Sequence, residues 1–337
     1  MDMEKKTLIP MVLLYTAPLL IIGTIITSIV YGAEDINIQL LWQALFHYDS
    51  GNINHTIIMT SRLPRVLGAL LVGAFLAISG ALMQGMTRNY LASPSIMGVS
   101  DGSAFVITLC MVLLPNLAPI QMVIFSMIGS AFGAGIVFGF GSLLRNGLSP
   151  VRLAIIGTVI GTFLSSLSAA IATYFQISQN ISFWYNARLH QIDIEILKIA
   201  FPLGILGIIL AISISKSITI LSLGEEVSKN LGQRNKLVKV ITMVSVVLLT
   251  GVSVALVGKV GFVGLIIPHM TRFIVGIDYK WLVPCAGIIG AIFLAISDIV
   301  SRFVNAPFET PIGVVTAFIG VPFFLYLIRT RGGNKHV

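Results

Sequence analysis

The chain has 337 residues, of which 56% are hydrophobic and 10% charged, with a mean hydropathy of +0.97. So few charges cannot cover a water-soluble surface, which excludes a soluble enzyme or binding module and leaves a polytopic membrane protein. The net charge of +8 would suit nucleic acid, but its distribution along the chain has a different cause, given below.

In chain order, ten apolar runs of membrane-crossing character lie at 8–31, 63–83, 94–114, 118–144, 153–175, 196–214, 238–257, 260–275, 281–303 and 311–328. About 20 helical residues cross a hydrocarbon core of roughly 30 Å, so each is expected to be a spanning helix. The first follows a basic flank, Lys5-Lys6, as a signal peptide does. Its apolar run continues from Leu8 to Tyr31, longer than a signal h-region, so it is expected to stay as a helix. If the N-terminus is inside, only Arg62, Arg65, Arg188, Lys198, Lys259 and Arg302 fall on the outer side, leaving 15 of the 21 basic residues inside. This is the positive-inside pattern, and it places both termini in the cytoplasm.

Polar interruptions at 32–62 and 176–195 outside, and 215–237 inside, are the longest. The outer two contain apolar residues, such as Leu40, Leu41 and Leu45, and so are expected to hold short helices. Gly129/Gly133, Gly135/Gly139 and Gly157/Gly161 have the small-residue spacing of close helix packing. Pro268 and Pro322 are expected to bend the eighth and tenth spans. Cys110 and Cys285 fall inside spans and read as packing residues, and the lone His190 and His269 as structural.

Two catalytic strings lack their context. Gly98-Val99-Ser100-Asp101-Gly102 matches a nucleophile elbow but falls in a predicted membrane helix with no His to partner it. Gly258-Lys259-Val260 has neither the glycine spacing nor the Ser/Thr of a phosphate loop. Any ATP energy is therefore expected from a partner. The inner segment offers a place for one: Leu223, Val227 and Leu231 form an apolar stripe at i, i+4 and i+8. Glu225, Glu226 and Lys229 occupy the other faces, Gly224 precedes them, and Gly232 is placed to stop the helix. Such a helix can lie on lipid or fit a groove on another protein.

Further strings extend the pattern: Arg62-Leu63-Pro64-Arg65; Gly73 to Gly80 with Gln84; Gly261-Phe262-Val263-Gly264-Leu265-Ile266-Ile267-Pro268-His269; Ser297 to Arg302; and Glu309 to Ala317. In this order and topology the chain resembles the FecCD-type permeases, membrane subunits of ATP-driven importers of iron-siderophores, haem or vitamin B12. The resemblance implies an all-α fold of about ten transmembrane helices with the type II ABC importer permease architecture, one permease domain over 1–337. It implies a cell-membrane location, a second permease subunit of the same or a related chain, two cytoplasmic ATPase subunits carrying ATP-Mg, and an external substrate-binding protein. No cofactor, metal or catalytic residue is expected in this chain. By the resemblance, residues 222–235 couple to the ATPase, and Arg62, Arg65 and Arg302 receive acidic residues of the binding protein. From the residues alone, Arg62 and Arg65 could instead snorkel to headgroups, and Arg302 could pair with Asp298 one turn away. A ferric siderophore is the expected cargo, with haem or vitamin B12 as alternatives.

The chain departs from the family pattern in three places. Asn89-Tyr90-Leu91-Ala92 stands where Asn-Pro-Leu-Ala is usual, and Asp101 where a small polar residue is usual. Trp184-Tyr185-Asn186-Ala187-Arg188-Leu189 replaces Trp-x-x-Gly-Ser-Leu, which bears on the outer vestibule. An acid inside a span needs a partner or water, so Asp101 suits either a path-lining place or a satisfied place in helix packing. Two other classes fit less well. A secondary transporter would need intramembrane ionisable clusters, and Asp101 and Asp298 are scattered. An intramembrane enzyme would need a catalytic pair at membrane depth.

Overall fold

A computed structural model describes residues 2–32, 36–95, 97–143, 150–185, 189–305 and 308–332. Its described residues form helices joined by short turns. Seven helices are long and apolar enough to cross a membrane: α1 (Asp2–Val30), α4 (Leu63–Thr87), α6 (Pro119–Leu143), α7 (Pro150–Tyr174), α9 (Ile194–Ser222), α11 (Asn235–Val257) and α13 (Tyr279–Phe303). Three shorter apolar helices, α5 (Val99–Leu113), α12 (Val263–Val275) and α14 (Ile312–Gly332), fill the remaining expected places. The outer segments hold α2 (Ile38–Phe46), α3 (Ile53–Ile57), α8 (Ser178–Tyr185) and a 3-10 turn at Leu189–Gln191; the inner one holds α10 (Glu225–Asn230).

Side-chain caps start several of these helices. Asn37, Asn52, Asp193 and Asp278 each accept a bond from the backbone N–H two residues on. Several boundaries differ from those expected. Helix α5 begins at Val99 rather than 94, because Pro94 and the left-handed Gly98 (φ 71°) lie in the turn before it. Helix α9 continues to Ser222, eight residues past the apolar run, with Ser213, Ser215, Thr219 and Ser222 bonding back to preceding carbonyls. Before α4, the backbone runs without a break through α3 and a π turn at Ile58–Arg62.

Helix α4 is the axis of the molecule, packed by α1, α9, α11, α12 and α13. Its glycines explain how closely: a methyl at Gly73 would overlap the Gly290 carbonyl, and one at Gly80 the Gly264 carbonyl. Gly129 and Gly133 likewise press against Gly102 and Gly98 of the α5 region. At Gly135 and Gly139 a methyl would meet no heavy atom within 4 Å, so their shared spacing does not serve packing within this chain. Cys110 and Cys285 are buried and free.

Candidate functional site

At the outer end, Asp298 is 1% exposed and accepts bonds from two arginines. Arg65 Nε lies 3.0 and 3.1 Å from its two oxygens and Nη2 lies 2.8 Å from Oδ1; Arg302, one turn on, bonds Oδ2. Arg302 also donates to the Ser28 carbonyl at 2.8 Å and to Ser28 Oγ at 3.0 Å, tying α13 to α1. Arg65 Nη1 reaches Glu309 Oε1 at 2.6 Å, and the second Glu309 oxygen lies 3.7 Å from His190 Nδ1. Two cations face two carboxylates here, so the burial is compensated; removing one partner of such a pair typically costs about 3–5 kcal/mol.

Arg62 takes a separate course, donating from Nη1 to the Ile29 carbonyl at 2.6 Å. Arg62 and Arg65 thus serve two different neighbours, α1 and α13. Arg65 is 8% exposed and Arg302 9%, while Arg62 is half-buried. All three carry bonds within the chain, and for Arg302 the structure contains the pair with Asp298 that its spacing allows. A cleft of about 230 Å³ opens over Arg65, between Phe183, His190, Glu309 and Ile312. Of the vestibule string, 186–188 lie outside the described residues.

The inner segment has the opposite character. Leu223, Val227 and Leu231 are 60%, 44% and 66% exposed and form an apolar stripe that no other described part of the chain covers. The helix that carries it covers only Glu225–Asn230, so Leu223 and Leu231 flank it. Gly224 at φ 136° lets the chain turn sharply out of α9, and Gly232 at φ 78° ends the short helix where expected. The other side is bolted down. Ser228 is fully buried and donates to Asn235 Oδ1 at 2.9 Å, while Asn235 Nδ2 donates to the Glu225 carbonyl at 3.2 Å. Lys239 Nζ holds Glu225 Oε1 at 2.6 Å. That hydrogen bond, aided by the charges of Lys239, Arg88 and Lys229, holds the Glu225 carboxyl below its ordinary range against a partial desolvation. Glu226 and Lys229 are exposed beside the stripe.

Asp101 has a partner that spacing does not reveal. Lys259 Nζ lies 2.6 Å from its Oδ1, and Ser165 Oγ donates to the same oxygen at 3.0 Å. The carboxylate lies over Gly161, where a methyl would come within 2.5 Å of Oδ2. Ser165 is nine residues from the outer end of α7 and fifteen from the inner end, about 14 and 22 Å at 1.5 Å per residue, so the pair sits well inside the membrane layer. Asp101 opens, with Thr158, Thr162, Ser165 and Ser166, onto a cavity of about 550 Å³. An unpaired charge at such depth costs about 2.5–3.5 kcal/mol on insertion scales, and Lys259 supplies the counter-charge that Asp101 needs there.

A fourth cluster joins the inner ends of α4, α12 and α13. Gln84 Nε2 donates to the Leu265 carbonyl at 3.0 Å, and Arg272 Nη2 reaches Gln84 Oε1 at 3.3 Å and the Tyr279 hydroxyl at 3.2 Å. The Arg272 guanidinium stacks 4.2 Å from the centre of the Tyr90 ring, a cation–π contact that gives the Tyr90 departure a role. His269 is 5% exposed among the rings of Tyr90, Phe273 and Phe323. The sequence alone does not reveal Lys259, Arg272 and Glu309 as participants. Only the cost of an unpaired acid at Asp101 signals that such a partner has to exist.

Comparison with known proteins agrees with this architecture. The model of the FecCD transport family matches residues 19–330. The chain is 59% identical to the iron-uptake system permease protein FeuB of Bacillus subtilis over 96% of this chain and 97% of that one. It is 48% identical to the iron(3+)-hydroxamate import system permease protein FhuB of the same organism, over 90% and 79%. Among solved structures it matches an inward-facing conformation of a metal-chelate type ABC transporter with a TM-score of 0.81 and 30% identity, covering 95% of this chain and 99% of that one. With residues 19–330 matched to one family model and the same helical frame found in a solved transporter, the chain belongs to the FecCD transport family.

Proposed function

We propose that the chain is the membrane-spanning subunit of an ATP-binding-cassette importer and carries a ferric siderophore into the cytoplasm. The observation that carries this is the near-complete match to an iron-uptake permease at 59% identity. The cargo is delivered by an external substrate-binding protein and passes between this chain and a second permease subunit. Of two cytoplasmic ATPases, one binds the stripe Leu223, Val227 and Leu231 of this chain; its exposure supports the assignment, since exposed apolar side chains on an anchored segment gain most from being covered.

Covalent chemistry stays with the ATPases. The segment from Gly224 to Gly232 transmits their motion through the Glu225–Lys239 pair to α11 and through the Gln233 bond to the Ser217 carbonyl, at 3.1 Å, to α9. Binding protein docks at the outer end over Arg62 and the cleft above Arg65, while Arg302 anchors that surface from beneath. Asp101, with the hydroxyls of α7 beside it, lines the path; polar groups at membrane depth support this, because lipid is a poor neighbour for them.

Radio-iron uptake from ferric siderophores and from haem, measured separately in cells with and without the gene, tests the proposal. Siderophore uptake should fall to background in the deletion and return on complementation. Loss of haem uptake alone would move the cargo, and no dependence of any iron source on the gene would remove the iron assignment.

A further inference from the structure

Between α6 and α11, toward the inner ends of both helices, lies an apolar groove of about 600 Å³. Ala131, Gly135 and Phe138 form one wall and Val240, Met243 and Val247 the other. Gly135 is what opens it: no heavy atom lies within 4 Å of where its methyl would be, and the same is true of Gly139 one turn on. The groove follows α11 from Lys236 to Leu248, twelve residues or about 18 Å. Half of a hydrocarbon core is about 15 Å. An apolar slot of about one leaflet's length fits an acyl chain.

The rim is basic. Lys236 and Lys239 stand in the first two turns of α11, at the depth of the cytoplasmic headgroups, and both line the groove. Lys236 is exposed, and Lys239 is 20% exposed while bonded to Glu225. Two lysines against one carboxylate leave a net positive mouth on a leaflet-length apolar slot.

We infer that this groove binds one anionic phospholipid of the cytoplasmic leaflet, an acyl chain between α6 and α11 and the phosphate at Lys236 and Lys239. Basic pockets between transmembrane helices on the cytoplasmic side suit such headgroups, at about 1 kcal/mol per lysine. The groove shares no lining residue with the Asp101 cavity or the cleft over Arg65, and its occupation is measured without transport. It nevertheless touches the coupling segment, because the ammonium that meets the phosphate is the one that holds Glu225.

The test is native mass spectrometry of the complete purified transporter, titrated with phosphatidylglycerol or with phosphatidylcholine. The wild type should retain phosphatidylglycerol in preference. Lys236→Gln should weaken that retention about fivefold and leave phosphatidylcholine unchanged, whereas Gly135→Leu, which fills the slot, should weaken both. Thermal unfolding of each variant checks that the fold is kept. Equal retention of the two lipids by the wild type would overturn the assignment, as would retention indifferent to both substitutions. A Gly135→Cys variant that cross-links to the second permease subunit would overturn it too, by giving the groove to a protein.

Discussion

The outer arginines and the inner apolar stripe are both expected, from the family resemblance, to meet partners, yet they are built in opposite ways. Outside, Arg65 and Arg302 are buried on Asp298, and Glu309 completes the balance of charge. Inside, Leu223, Val227 and Leu231 are exposed although water disfavours them, on a segment held rigid by Ser228, Asn235 and Lys239. A residue kept against its solvent preference by well-bonded neighbours is a stronger sign of a docking surface than a residue satisfied where it stands. The outer cluster therefore acts first as a clamp joining α1, α4 and α13.

The contrast can be broken at the clamp, where the largest effect is expected. Asp298→Asn keeps the shape and removes the charge that both arginines share. It should cost about 3–5 kcal/mol, read as a marked fall in thermal stability of the detergent-purified chain. An unchanged melting temperature would mean the two arginines do not depend on that carboxylate.

A smaller effect is expected at mid-membrane. Lys259→Gln or Asp101→Asn alone leaves one charge unpaired at depth and should lower uptake about tenfold, since an uncompensated charge there costs a few kcal/mol. The double variant should recover most of the activity, because neither charge is then orphaned. A double variant as poor as the worse single one would show that one of the charges acts alone.

The smallest effect is a pH dependence of the coupling segment. Glu225 has its carboxyl held low in the folded state by Lys239, so the pair stabilises the segment above the ordinary carboxylate pKa of about 4.3. That contribution is lost as pH falls through the lower folded-state value. Because the group is partly exposed, the loss is modest. Hydrogen-exchange protection across 224–235, taken relative to the intrinsic exchange rate at each pH, should fall between neutral and acid pH in the wild type and change less in Glu225→Gln; equal pH responses would contradict the assignment.

What is legible follows from physics that is local in sequence. Runs of apolar residues locate ten helices, and the i, i+4, i+8 spacing with Gly232 locates the short inner helix Glu225–Asn230. Arg302 and Asp298 are visible as a pair because they lie one turn apart. Arg65 finds the same carboxylate 233 residues away, and Lys259 finds Asp101 across 158, and neither distance leaves a local trace. The outward face of Gly135 is equally hidden, since its spacing to Gly139 is the same as that of the tightly packed Gly129 and Gly133.

The central claim is that the exposed inner stripe joins this chain to its ATPase and thereby drives uptake. The direct measurement is ferric-siderophore uptake in a deletion strain complemented with the wild type or with Leu223→Asp plus Val227→Asp, alongside the amount of permease in the membrane and of ATPase recovered with it. The account predicts normal amounts of permease, loss of bound ATPase and uptake at the level of the deletion. Uptake and ATPase recovery equal to the wild type would contradict it.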